Sequence, residues 1–132
     1  MAKTSPTQRT KAALKKRGAI HQVVERWNAH ARVRVDLFGV IDIVALAKVD
    51  GYTRCVGIQC TAKGWADRMA KAEAEPRLID WLAAGCLFEV WGWRKLKIKN
   101  KSGKIGKREQ WTACVHRAEM TEGIITWREI EC

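Results

Sequence analysis

The sequence predicts a mixed α/β domain, a central β-sheet flanked by helices, in the order helix, three strands, helix, strand and then extra β structure. Three stretches carry that expectation. VIDIVALAKV is rich in β-branched residues and is followed by Asp50-Gly51 and a second apolar run, TRCVGIQCTA, the pattern of two strands joined by a tight turn. WADRMAKAEAEPRLIDWLAAG places apolar residues at helical spacing. CLFEVWGW then reads as a buried strand. With 132 residues and no break in composition, the chain is expected to form one domain, residues 1–132.

The elements follow in order. Ser5 and Thr7 flank Pro6 ahead of QRTKAALKKRG, so a helix starts there, with Ala12, Ala13 and Leu14 facing inward and Gly18 ending it. Its outer face carries Lys11, Lys15, Lys16 and Arg17. AIHQVVERWN, from Ala19 to Asn28, is bounded to strand length by Gly18 and Asn28. The hairpin about Asp50-Gly51 comes next. In the helical interval, Trp65, Met69, Ala72, Leu78, Trp81 and Leu82 share a face, Pro76 interrupts it and Gly85 stops it. RKLKIKNKSGKIGKREQW reads as a long hairpin turning at Asn100 to Gly103, in which Lys95, Lys97 and Lys99 alternate with Leu96 and Ile98. QWTACVHR and ITWREIE supply further strands, and no internal repeat is visible.

Lys and Arg number 25 against 14 Asp and Glu, a formal charge of +11, which attracts polyanions and makes nucleic acid the expected partner. The five cysteines, Cys55, Cys60, Cys86, Cys114 and Cys132, are odd in number and scattered, without a CxxC pair, as expected for free thiols in a reducing cytoplasm. No run approaches the roughly 20 apolar residues that span a bilayer, and no signal peptide is evident, so neither membrane nor export is expected. The seven tryptophans are expected in the core. His21, His30 and His116 are too scattered to define a site.

The chemistry gathers on the hairpin. Asp42 lies about eight residues before the turn and Gln59 about eight after it, so antiparallel pairing brings them together. Alternation puts Gln59, Thr61 and Lys63 on one face. An acid flanked by Val40, Ile41, Ile43 and Val44 is costly to bury without a partner. A carboxylate, an amide oxygen and the carbonyl of Cys60 are hard oxygen ligands suited to Mg²⁺ or Mn²⁺. An ammonium beside such an ion can orient a water and stabilise charge on a phosphate, the chemistry of phosphodiester hydrolysis.

GVIDIVALAKVDGYTRCVGIQCTAKG resembles the core of the PD-(D/E)xK nuclease superfamily, especially its archaeal-type Holliday junction resolvases and related phage nucleases. LKKRGA resembles the end of that family's first helix, so the resemblance covers about residues 7–93 and leaves the basic hairpin and C-terminal strands, 94–132, outside it. It implies a restriction-endonuclease-like fold with an αβββαβ core, a metal-dependent DNA endonuclease selective for nucleic-acid structure, and a setting in a bacterial or phage-infected cell. Asp42 matches the metal-binding acid and Gln59 the second acidic position. Thr61 stands where the family has lysine, and Lys63 is the stand-in. The family's first-helix acid is missing, leaving Glu25 and Asp36 as candidates to replace it. The simpler reading of both is as ion-pair partners of Arg26, Arg32 or Arg34.

Lys15, Lys16 and Arg17 of the first helix, with Arg94, Lys95, Lys97, Lys99, Lys101, Lys104 and Lys107 of the hairpin, are expected to hold the DNA backbone without reading sequence. A homodimer would suit cutting two strands. Two other readings stand: a catalytically decayed nucleic-acid-binding module of the same fold, and a protein that contacts a partner protein through its tryptophan-rich sheet.

Overall fold

The computed structural model describes residues 4–132, and it is an α/β structure with a mixed six-stranded sheet and three helices. Helix α1 (Pro6–Lys16) begins at Ser5, whose hydroxyl accepts from the Gln8 amide while the Gln8 side chain accepts from the Ser5 amide. Thr10 and Leu14 are its buried residues. Ala12, expected inside, is exposed, because Thr10 and Leu14, four apart, define the inner stripe and Ala12 lies on the opposite side of the turn.

The expected strand from Ala19 to Asn28 is two strands in two sheets. β1 (Ile20–Val23) is an edge of the large sheet, whereas β2 (Arg26–Asn28) pairs only with β3 (Val33–Val35) in a small antiparallel ribbon. The break falls at Val24 and Glu25, whose amides both turn to the carbonyl of Asp42, at 2.8 and 3.4 Å.

β4 (Ile43–Val49) and β5 (Tyr52–Thr61) form the anticipated hairpin, with Asp50 and Gly51 both at positive φ as the turn demands. Its register pairs Ile43 with Ile58, which sets Asp42 and Gln59 opposite each other as the residue count requires. The helical interval divides at Pro76 into α2 (Trp65–Glu73) and α3 (Pro76–Ala83). These carry the chain across to β6 (Leu87–Lys99), parallel to β5 with Thr61 beside Gly92. β7 (Ile105–Thr121) and β8 (Ile124–Glu131) complete the sheet order β1-β4-β5-β6-β7-β8.

One face of the sheet packs Ile43, Ala45, Val56, Ile58, Trp91 and Trp93 against Leu14 of α1. The other packs Val40, Ile41, Phe88 and Val90 against Ala72 of α2 and Leu78 of α3. The α1 face also carries an ion pair: Glu89 accepts from Arg117 at 2.8 Å and from the Trp91 indole at 3.0 Å, with both charged side chains nearly buried. No helix among the described residues is long and apolar enough to cross a membrane.

The five thiols are not all free. Cys114 and Cys132 form a disulfide, because β8 returns beside β7 with Val115 opposite Glu131 and brings the last residue next to Cys114. Cys55, Cys60 and Cys86 remain free.

β6 continues for seven residues past Gly92, roughly 23 Å at strand rise, and β7 returns alongside it. The result is a two-stranded ribbon that projects from the end of the sheet where β5 stops and β4 begins. Its turn is held by Asn100, whose side-chain oxygen accepts from the amides of Ser102 and Lys104.

Candidate metal centre

The strand break at Val24 sets Glu25 beside the backbone of Asp42. A second chain reversal does the same for Asp36: Gly39 donates to the Asp36 carbonyl, Leu37 and Ile41 exchange amide bonds, and Phe38 and Gly39 take positive φ to close the loop. The side-chain oxygens of Glu25, Asp36 and Asp42 accordingly lie within 4.8 Å of one another. Asp42 is buried and the other two are half-buried.

The Oδ2 of Asp42 accepts from the Gln59 amide at 2.7 Å and from the Cys60 backbone N–H at 2.9 Å. Burial pushes the Asp42 carboxyl from 3.8 to about 8, helped by its hydrogen bond with Asp36 and the charges of Asp36 and Glu25, and opposed by the Cys60 amide. A carboxyl raised in this way holds its proton at neutral pH, and a divalent cation bound there would displace it. The one cation paired to this group among the described residues is Arg34, 3.1 Å from Glu25, with a side chain 72% exposed. Glu25 thus lies beside the other two acids and is also the ion-pair partner of Arg34.

Gln59 is buried beside Asp42 and, with its NH₂ committed there, keeps Oε1 for a further partner. Cys60 touches the cluster through its amide. Its thiol faces the α1 side of the sheet, where burial pushes it up to about 12 against the hydrogen bonds of Thr10 and Thr7.

Lys63 is not where alternation placed it. β5 ends at Thr61, and the Thr61 hydroxyl donates to the Lys63 carbonyl while the Lys63 amide donates back at 3.2 Å, so the chain bends out of the strand. The Lys63 side chain is exposed, forms no ion pair with the three acids, and lines a shallow depression with Asp67, Arg68 and Lys71.

The basic residues separate into two groups. Arg94, Lys95, Lys97, Lys99, Lys101, Lys104 and Lys107 are exposed on the ribbon beyond the cluster end of the sheet. Trp111, opposite Lys95, is covered by the Arg9 guanidinium at 4.0 Å and flanked by the Lys95 ammonium at 5.5 Å. Helix α1 runs the other way: Thr10 meets Trp93 at 2.8 Å near the ribbon, while Arg17 reaches Trp91 and pairs with Glu131 at 2.6 Å. Lys15, Lys16 and Arg17 therefore sit at the helix end farther from the ribbon.

Trp27, expected in the core, is 61% exposed on the β2–β3 ribbon and lines a depression with Val23, Glu25, Arg26 and Arg34. Composition concealed it; the alternation of Arg26, Arg34 and Arg32 about it, bounded by Glu25 and Asp36, is the signal that marks this segment. No protein-family model, curated protein or solved structure matches the chain.

Proposed function

We propose that the protein is a divalent-metal-dependent DNA endonuclease with a restriction-endonuclease-like fold. The observation that carries this reading is the convergence of Glu25, Asp36 and Asp42 from three separate chain segments, with a proton held where a cation fits. Three carboxylates and the free amide oxygen of Gln59 are a hard-oxygen donor set suited to Mg²⁺ or Mn²⁺. An ion held there supplies Lewis-acid polarisation of a phosphodiester and a water of lowered pKa.

The helix, the three antiparallel strands, the helical crossover and the parallel strand β6 follow the order that the sequence resemblance implies, which supports the same reading. Asp42 orders the site through the Gln59 and Cys60 amides. Lys63, Arg68 and Lys71 just past the end of β5 and the Lys95–Lys99 row of β6 offer cationic charge at the same end of the sheet as the acids, suited to a phosphate backbone. A second copy of the chain, each cutting one strand, would account for duplex cleavage.

A second reading, a nucleic-acid-binding module with a decayed centre, is favoured by Gln59 in an acid's place and by Thr61 spent on the Lys63 turn. Cleavage of labelled branched, single-stranded and linear DNA with Mg²⁺ or Mn²⁺ separates the two. Metal-dependent nicking by the wild type that is lost in Asp42→Ala and Asp36→Ala supports the nuclease. Binding without nicking under every metal overturns it in favour of the module.

A further inference from the structure

The segment between Glu25 and Asp36 holds three arginines, one histidine, one tryptophan and no acid. It forms the β2–β3 ribbon, with Trp27 opposite Arg34 and Arg26 opposite Val35, and its two ends are cluster acids. Trp27 has no packing role that accounts for it: it is 61% exposed, whereas Trp91 and Trp93 are 2% and 8% exposed in the core. It instead forms a wall of the depression that also contains Glu25, with Arg26 and Arg34 as the cationic sides.

An indole beside guanidinium groups is the chemistry that receives a nucleobase face with its phosphates. Inside a duplex both faces of a base are covered by its stacked neighbours; an unpaired base offers one. We infer that Trp27 stacks on an unpaired base next to the phosphate at the metal centre, so that the substrates preferred are single strands, loops and junctions rather than uninterrupted duplex. This rests on the nuclease reading for the word substrate, but the stacking itself is a binding property.

The test is therefore read as binding. Fluorescein-labelled single-stranded, single-strand–duplex junction and blunt duplex DNA of one length are titrated by anisotropy in EDTA and again with Mg²⁺. Trp27→Ala is expected to lose about tenfold or more in affinity for the two probes with unpaired bases, with little change for the duplex, and Trp27→Phe to keep most of the preference. Indole emission gives a second readout: single-stranded DNA quenches the wild type more than Trp27→Phe. Equal weakening of all three probes, no weakening, or a change only in oligomeric state by light scattering overturns the inference. If no probe is ever cut but the Trp27→Ala selectivity loss is seen, the stacking stands and only the nuclease reading falls.

Discussion

Replacing Asp42 with Asn tests the acid cluster without any substrate. The folded Asp42 carboxyl releases its proton near pH 8, against 3.8 when unfolded, a gap of about four pH units. A carboxyl raised by folding adds stability that is full below the lower value and is lost as pH climbs to the higher one. At 1.36 kcal/mol per unit, the metal-free wild type forfeits on the order of 5 kcal/mol between pH 4 and pH 8. Asn has the shape of the protonated acid: its oxygen can accept from Gln59 and Cys60, and its NH₂ can donate to Asp36. The variant should therefore match the wild type at and below pH 4 and exceed it at pH 8 in EDTA by about 3–5 kcal/mol, about 10–20 °C in melting temperature. Millimolar Mn²⁺ at pH 8 should then raise the wild type and leave the variant unmoved. Urea and thermal unfolding from pH 4 to 8.5 provide the measurement. A variant no more stable than the wild type at pH 8 in EDTA would refute the account of Asp42 as a buried acid short of positive charge.

Changing Lys95, Lys97 and Lys99 together to Ala should make the dependence of DNA affinity on log salt shallower by about 2–3, whereas Lys15→Ala with Lys16→Ala should alter that slope less, because those residues stand away from the ribbon. Gly92→Ala would push a methyl into the Trp65 ring at the start of α2, and a loss of about 1–3 kcal/mol in urea titration is expected. Glu89→Ala strands the Arg117 guanidinium and the Trp91 indole on the α1 face of the sheet, a cost of about 3–5 kcal/mol by the same assay.

The parts of the fold governed by local rules were legible beforehand. Asp50-Gly51 dictated a turn, the turn dictated the register, and the register put Asp42 against Gln59. Pro76 and Asn100 marked where helix and hairpin would break. What escaped was decided by contacts distant along the chain. The amides of Val24 and Glu25 leave the strand for the carbonyl of Asp42, and nothing in AIHQVVERWN announces an acceptor that lies elsewhere. Glu25 and Asp36 were candidates by elimination, and only the two reversals bring both to Asp42. Lys63 was misplaced because strand alternation was carried one step too far, past a threonine whose hydroxyl ends the strand. The disulfide depends on β8 lying beside β7, a pairing that cysteine spacing does not encode.

The ten residues from Arg26 to Val35 form their own small sheet, hydrogen-bonded to each other and not to the six strands. Their ends are fixed by Glu25 and Asp36, while the backbone bonds that fix those acids come from Asp42 and the Leu37–Ile41 turn, outside the segment. The segment is thus interchangeable in principle: another hairpin of equal span could be spliced between the same two acids and be delivered to the same place. The acids and the exposed arginines and tryptophan between them thus lie in separately held stretches of chain, so the segment can vary in sequence without disturbing the backbone bonds that place Glu25, Asp36 and Asp42.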